Sequence, residues 1–339
     1  MEWPAGAVQD EQARLGNLTK VPGEPDDELV LLVENATEIG LARIGLPAVE
    51  RRGLTLSGGG EMSALVWGEG MPEVVLVHGR AQNAHTWDTV ALALGRPAVA
   101  VDLPGHGRST WRADHDYSPR VLAGALGEAI EALAPGARLV VGMSLGGLAS
   151  LRLAAARPEL VASLVLVDIT PGVDAARARA VTEMVSGPET FGSFAEIVDW
   201  TVRHNPGRSR QSLRRGVLHN ARELPDGSWV WRWDPHGPTF PGAEREGRAL
   251  GELWDDLGRT HMPLALIRGS RSPVVDDADV AELLARRPTA RVLTVDGAGH
   301  SVQGDRPLEL ASILGALLAE PGAPSTSGAE PDSRGGAPR

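Results

Sequence analysis

Leu139-Val140-Val141-Gly142-Met143-Ser144-Leu145-Gly146-Gly147 decides the fold of this chain. A β-branched run leads into Gly-x-Ser-x-Gly, and a pattern of small and apolar residues, Leu148 to Ala156, follows at once. A strand that turns abruptly into a helix brings neighbouring backbones together, and only residues without a Cβ fit on either flank. Gly142 and Gly146 hold those flanks, two residues either side of Ser144. Such a turn lifts the serine Oγ off the sheet edge and aims the first helical amides at any negative charge that builds up there. The motif alone is weak; a strand before it and a helix after it make Ser144 the candidate nucleophile.

Outward from this turn the pattern is α/β. Residues 52–57 and 63–67 read as two strands joined at Gly58-Gly59-Gly60, and residues 74–77, 98–101, 162–167, 263–267 and 291–295 as further strands. Several of these are unbroken apolar runs, as in strands buried on both faces. Helix patterns fall between them, near residues 84–94, 119–134, 279–285 and 308–318. Alternating strands and helices imply a mostly parallel central sheet with helices on both faces, and a site off the carboxyl ends of the strands. Residues 172–256 break the rhythm with helical segments near 175–184 and 194–204, then Trp229, Trp231 and Trp233 at period two. So long a segment between two sheet strands is no simple loop. It reads as a helical cap inserted into a core formed by residues 47–171 and 257–319. Residues 1–46 read as an acidic, poorly ordered arm with a short apolar patch, Leu29 to Val33, able to dock, and 320–339 as a disordered tail.

Composition narrows the function. The 339 residues carry a net charge of −11, which argues against nucleic acid as a partner, and residues 1–38 supply much of it, with nine acidic side chains against Arg14 and Lys20. No cysteine is present, so disulfides, thiolate catalysis and Cys-based zinc sites are excluded, in keeping with a reducing, cytoplasmic setting. No basic-then-apolar leader opens the sequence, and no apolar run approaches the ~20 residues that cross a membrane. Neither His-Glu-x-x-His nor clustered histidines at ligand spacing occur, so no metal and no other cofactor is expected.

A serine hydroxyl needs an adjacent base at neutral pH. His300, in Asp296-Gly297-Ala298-Gly299-His300-Ser301 directly after a strand, is the histidine placed to serve. The oxyanion needs two preorganised donors, expected from the Leu145 amide at the start of the elbow helix and the Arg80 amide in His78-Gly79-Arg80-Ala81. His78, Asp102 and His106 read as residues that brace loops.

His78-Gly79, the turn Asp102 to Ser109, Gly142 to Gly147 and Gly297 to His300, in that order, resemble the α/β-hydrolase superfamily over roughly residues 50–318. The resemblance implies that fold and an acyl-enzyme mechanism at Ser144 with His300 as base, and it leaves the substrate open. The family's usual acid would follow the strand ending at Ile267, but Gly269-Ser270-Arg271-Ser272 carries a serine there. Some esterases of the superfamily place the acid after the preceding strand instead, and Asp168 with Ser272 resembles that arrangement. Asp168 is thus expected to orient His300 with Ser272 as an auxiliary hydrogen-bonder, and Asp276 or Asp277 is the fallback. A serine at position 144 also separates the chain from dehalogenases and epoxide hydrolases, which attack with an aspartate there.

The expected function is a serine esterase acting on a small-molecule carboxylic ester of a small or medium organic acid, with Trp200 and Trp231 of the cap binding substrate. The period-two tryptophans suit a hairpin equally well. The rivals are a carbon–carbon bond hydrolase or a cofactor-free haloperoxidase on the same residues, and a binding protein that kept the fold.

Overall fold

Runs such as Val74 to Val77 contribute to both sides of the sheet at once. Val75 and Val77 join one buried cluster and Val74 and Leu76 the other, as a two-residue repeat requires of a central strand. The computed structural model describes residues 18–19, 27–41, 45–174, 176–237 and 244–320.

In chain order the elements are β1 (Leu18–Thr19), α1 (Asp27–Glu38), β2 (Val49–Thr55), β3 (Glu61–Trp67), β4 (Val74–Val77), α2 (Asp88–Leu94), β5 (Ala98–Asp102), α3 (Pro119–Leu133), β6 (Leu139–Met143), α4 (Leu145–Ala156) and β7 (Leu164–Val167). After them come α5 (Arg179–Val185), β8 (Thr190–Phe191), α6 (Phe194–His204), α7 (Arg210–Asn220), β9 (Ala221–Glu223), β10 (Trp229–Trp231), α8 (Glu244–Arg259), β11 (Leu264–Gly269), α9 (Asp277–Arg286), β12 (Arg291–Val295), α10 (Val302–Asp305) and α11 (Pro307–Ala319). Nine strands form one sheet in the order β1-β2-β3-β5-β4-β6-β7-β11-β12. The first three pairings are antiparallel and every pairing from β5 to β12 is parallel. Helices α3, α4, α8 and α9 cover one face, and α1, α2, α10 and α11 cover the other.

Three expectations need correction. Residues 27–38 are a helix docked on the body rather than part of a poorly ordered arm. Leu32 and Ala36, one turn apart, are buried, while Val30 and Val33 face outward. Charge fixes the helix as well: Glu28 meets Arg51 at 2.8 Å, Arg108 at 2.9 Å and His85 at 3.1 Å, and Glu38 pairs with Arg215 of α7. Leu18 and Thr19 of the arm also pair with β2, whereas residues 1–17, 20–26 and 42–44 of the arm and 321–339 of the tail lie outside the described residues.

Second, the cap is not wholly helical. Its tryptophan hairpin builds a small antiparallel sheet, β8-β10-β9, because alternating aromatic residues fit a pleated surface. Third, α8 belongs to the body. Leu253 and Leu257, again one turn apart, are buried with α4 in the same face of the core, and Asp256 pairs with Arg152 of α4 at 2.6 Å. The core thus resumes before residue 257.

Burial by itself would raise the Glu28 carboxyl, but hydrogen bonds from His85 and Arg51, and their charge, hold it well below the usual carboxylate range. A depressed carboxyl adds stability above its unfolded value of 4.5 and loses it as pH falls below that point. Glu28→Gln is expected to lower stability at pH 7 by about 2 kcal/mol and to flatten the loss of stability below about pH 4.5. Urea denaturation at pH 7 and in the acid range measures both, and equal midpoints for the two proteins at pH 7 would contradict the docking role.

Candidate active site

Parallel pairing sets Met143 level with Val167, and Val167 level with Ile267. Ser144 and Asp168, the next residues, therefore leave neighbouring strand ends together. The Ser144 amide donates to the Val167 carbonyl at 3.2 Å and the Asp168 amide to the Ile267 carbonyl at 2.7 Å, so each ladder continues one residue past its strand. Both residues then turn with positive φ, +50° at Ser144 and +51° at Asp168. Such a conformation costs an L-residue about 1–2 kcal/mol and persists where surrounding structure enforces it.

The sequence around Ser144 enforces it sterically. A Cβ on Gly142 would lie 2.6 Å from the Gly146 carbonyl oxygen, and one on Gly146 would lie 2.4 Å from the His78 carbonyl oxygen. Backbone cannot yield at those distances, which is why the motif needs glycine at both flanks. Ser144 is buried, and α4 begins at the next residue.

Asp168 is fully buried, and three donors converge on its carboxylate. Oδ1 accepts from the Gly269 amide at 3.0 Å. Oδ2 accepts from the Ser272 hydroxyl at 2.5 Å and from His300 Nδ1 at 2.7 Å. The His300 ring is thus oriented through Nδ1, which leaves Nε2 to handle a proton. The loop behind it is rigid: the Arg271 amide donates to the Ala298 carbonyl at 2.9 Å and the Gly299 amide to Asp305 at 2.8 Å. The fallback carboxylates are committed elsewhere. Asp276 caps α9 and pairs with Arg177 at 2.9 Å, and Asp277, exposed, pairs with Arg268 at 2.7 Å.

The loop after β4 runs against Ser144. A Cβ on Gly79 would come within 2.5 Å of Met143 Sδ and 3.1 Å of Ser144 Cβ. The Gly79 amide donates to Gln82 Oε1 at 3.1 Å, so it is spent, and Arg80 is the next amide along. The Leu145 amide is in the first turn of α4 and has no acceptor in its own helix. Gln82 also reaches the histidine loop, donating to Ser301 Oγ at 3.4 Å and accepting from Gln303 at 3.2 Å.

From above, the cap grips the same loop. The Arg80 side chain is buried and donates through Nη2 to the carbonyls of Asp234 at 3.1 Å and Gly237 at 2.9 Å. Burial lowers its pKa, against the opposing charges of Asp234 and Tyr117. Asn83 donates to the His219 carbonyl at 3.1 Å, and Asn220 donates to the Ala81 carbonyl at 2.7 Å. Ala81 itself has φ +59°.

His78 and Asp102 brace from below. His78 Nδ1 donates to the Gly79 carbonyl at 2.7 Å, and Nε2 accepts from the Leu103 amide at 2.9 Å. Burial lowers the His78 pKa, keeping it neutral enough for both roles. Asp102 accepts from the Ala84 amide at 2.7 Å and from Arg51 at 2.8 Å. His106 donates to the Pro104 carbonyl at 3.1 Å.

Trp200 and Trp231 are tied into the cap's own core. Trp231 stacks on Trp233 with ring centroids 4.2 Å apart and meets Phe191 edge-on at 5.6 Å. Trp200 donates through Nε1 to the Met184 carbonyl at 3.3 Å. Sequence reasoning missed Gln82, Asn83, Asn220 and Asp234, none of which has a local signal. Among the described residues the cluster with metal-ligand spacing, His85, Asp88 and His219, excludes Ser144, Asp168 and His300.

A parallel sheet ending in a strained serine turn, with a histidine and a buried carboxylate at neighbouring strand ends, defines an α/β hydrolase. The model of the alpha/beta hydrolase family matches residues 74–313, and the chain belongs to that family. It is 46% identical to the esterase Rv0045c of Mycobacterium tuberculosis over 86% of this chain and 96% of that protein. A solved structure of Rv0045c superposes with a TM-score of 0.77 at 43% identity, covering 88% of this chain and all of that one. More distantly, it is 28% identical to the lipase LipV of the same organism, over 74% of this chain and 94% of the lipase.

Proposed function

We propose that this chain is a serine esterase in which Ser144 attacks the carbonyl of a carboxylic ester and forms an acyl-enzyme. His300 Nε2 takes the serine proton and passes it to the departing alcohol. Asp168 holds the imidazole in the required tautomer and stabilises the imidazolium, with Ser272 fixing the carboxylate. The Arg80 and Leu145 amides receive the oxyanion, each donor contributing about 3 kcal/mol to transition-state stabilisation. Water activated by His300 then releases the acid. Ester hydrolysis is supported by the likeness to Rv0045c, named an esterase, at 46% identity over most of both chains.

The observation that carries the residue assignment is the 2.7 Å contact between His300 Nδ1 and Asp168 Oδ2 beside the strand end that bears Ser144. The substrate class is an ester of a small or medium organic acid, and Trp200 and Trp231, packed in the cap's own core, shape the cap rather than touch the substrate. A cytoplasmic setting accords with a chain that lacks cysteine.

The test is a series of p-nitrophenyl esters, from acetate through butyrate and octanoate to palmitate, combined with labelling by a serine-directed phosphonate. Turnover is expected to peak at the short or medium acids, with the label on Ser144. A folded protein that cleaves none of them and takes no label would move the reading to carbon–carbon cleavage or to binding alone.

A further inference from the structure

Away from the catalytic residues, two imidazoles and a carboxylate converge at the seam between body and cap. His85 lies in the one-turn segment Ala84–Trp87, Asp88 opens α2, and His219 is next to last in α7. All three side chains are buried, with 4%, 2% and 5% of their surface exposed. His85 Nδ1 lies 2.9 Å from Asp88 Oδ2, His219 Nε2 lies 3.8 Å from the same oxygen, and one ligand atom from each residue falls within 4.8 Å of the others.

Two atoms here are buried without any hydrogen-bond partner, His219 Nε2 and Asp88 Oδ1. Native structures rarely leave such atoms unpaired, so two of them on neighbouring side chains of one buried cluster point to an absent partner. Burial, reinforced by the neighbouring His85, pushes the His219 pKa well below that of an ordinary histidine. Burial would lower His85 too, but Asp88 and Glu28 raise it, so a metal on His85 Nδ1 displaces the proton shared with Asp88 and releases it to solvent. We propose that His85, Asp88 and His219 form a binding site for a divalent transition metal that links the body to the cap.

The geometry is compatible with this. For bonds of about 2.1 Å, ligand atoms separated by 2.9 and 3.8 Å subtend angles of about 90° and 130° at an ion. Two imidazoles and one carboxylate suit zinc, cobalt or nickel better than calcium or magnesium. Metal-bound histidines usually pass their second N–H to a carboxylate. Glu28 Oε2 stands 3.1 Å from His85 Nε2 and serves that purpose. Arg51, 3.0 Å from the same nitrogen, has its charge matched by Glu28 and Asp102. A cavity of about 430 Å³, lined by His85, His219, Glu28 and Asn83 among others, offers entry and room for water at a fourth position. The two imidazole rings stack 3.6 Å apart and 9° from parallel. In-plane lone pairs on parallel rings do not converge on one ion, so binding tilts one ring by rotation about χ2, breaking the stack and readjusting those separations.

The test uses cobalt(II) or zinc(II) alone with the full chain, whatever its activity. Titration is expected to give one tight equivalent, with the visible cobalt absorption of nitrogen–oxygen ligation and a micromolar or lower Kd. His219→Ala and Asp88→Asn are each expected to weaken that equivalent at least tenfold. Circular dichroism checks that each variant is folded, and His219→Gln, which keeps size and polarity, replaces His219→Ala if the latter is not. Wild-type affinity in a folded His219 variant, or no equivalent bound by the wild type at micromolar metal, would overturn the proposal.

Discussion

Ser144→Ala is expected to lower kcat on p-nitrophenyl butyrate roughly a million-fold, as loss of the nucleophile does in serine hydrolases generally, while leaving the fold and KM nearly unchanged. The Ala side chain keeps the Cβ that already occupies the positive-φ turn, so the elbow and its glycine contacts survive. Residual activity then comes only from the oxyanion donors and from binding. Loss of labelling by the phosphonate accompanies loss of turnover. A variant that keeps more than about a hundredth of wild-type kcat would place the nucleophile elsewhere.

Asp168→Asn is expected to lower kcat by about ten thousand-fold, the size of effect found when a triad carboxylate becomes an amide. Oδ2 now accepts from both Ser272 and His300 Nδ1. An amide nitrogen there would turn from acceptor to donor, and Nδ1 would have to become the acceptor. That flips the tautomer and puts the imidazole proton on Nε2, facing the serine it should deprotonate. Turning the amide over leaves its nitrogen against the Gly269 N–H instead, which is a buried clash of donors. Ser272→Ala removes one hydrogen bond and is expected to cost about tenfold, near 1.4 kcal/mol. Asp276→Asn and Asp277→Asn should retain kcat within twofold, because asparagine still caps α9 and Asp277 is exposed. Steady-state kinetics on the four variants decide the matter, and an active Asp168→Asn beside an inactive Asp276→Asn would reassign the acid.

Much of this architecture was legible because buried parallel strands advertise themselves. Residues 74–77 and 291–295 are strands at the predicted bounds, each a short run of mostly β-branched or aliphatic residues. The elbow was legible for a steric reason, since Gly142 and Gly146 answer to backbone contacts that no other residue tolerates. Helix α1 was obscured by its charge. Its acidic side chains look like those of a solvated arm until Arg51, Arg108 and Arg215 are seen beside them, and those partners are remote in sequence. The placement of α8 was missed because Leu253 and Leu257 follow a cap segment in sequence but face α4 in space. For the acid, residue type and loop position left Asp168, Asp276 and Asp277 open, and the resemblance favoured Asp168. Of the three, Asp168 is the one hydrogen-bonded to His300, which supports that reading. Nothing local marks Asn220, whose partner, Ala81, lies more than a hundred residues earlier.

The hydrogen bonds from Arg80, Asn83 and Asn220 that join the loop after β4 to the cap bear on how this scaffold can be engineered. Cap exchange is the obvious route to a new substrate range in a hydrolase of this build. Here the transplanted segment would also have to supply carbonyls for Arg80 and Asn83 and an amide for Ala81, or the loop after β4 would lose its upper support. With the proposed role of the Arg80 amide, selectivity and speed would not be separable modules, and a chimera chosen for binding alone is expected to turn over slowly until those three anchors are rebuilt.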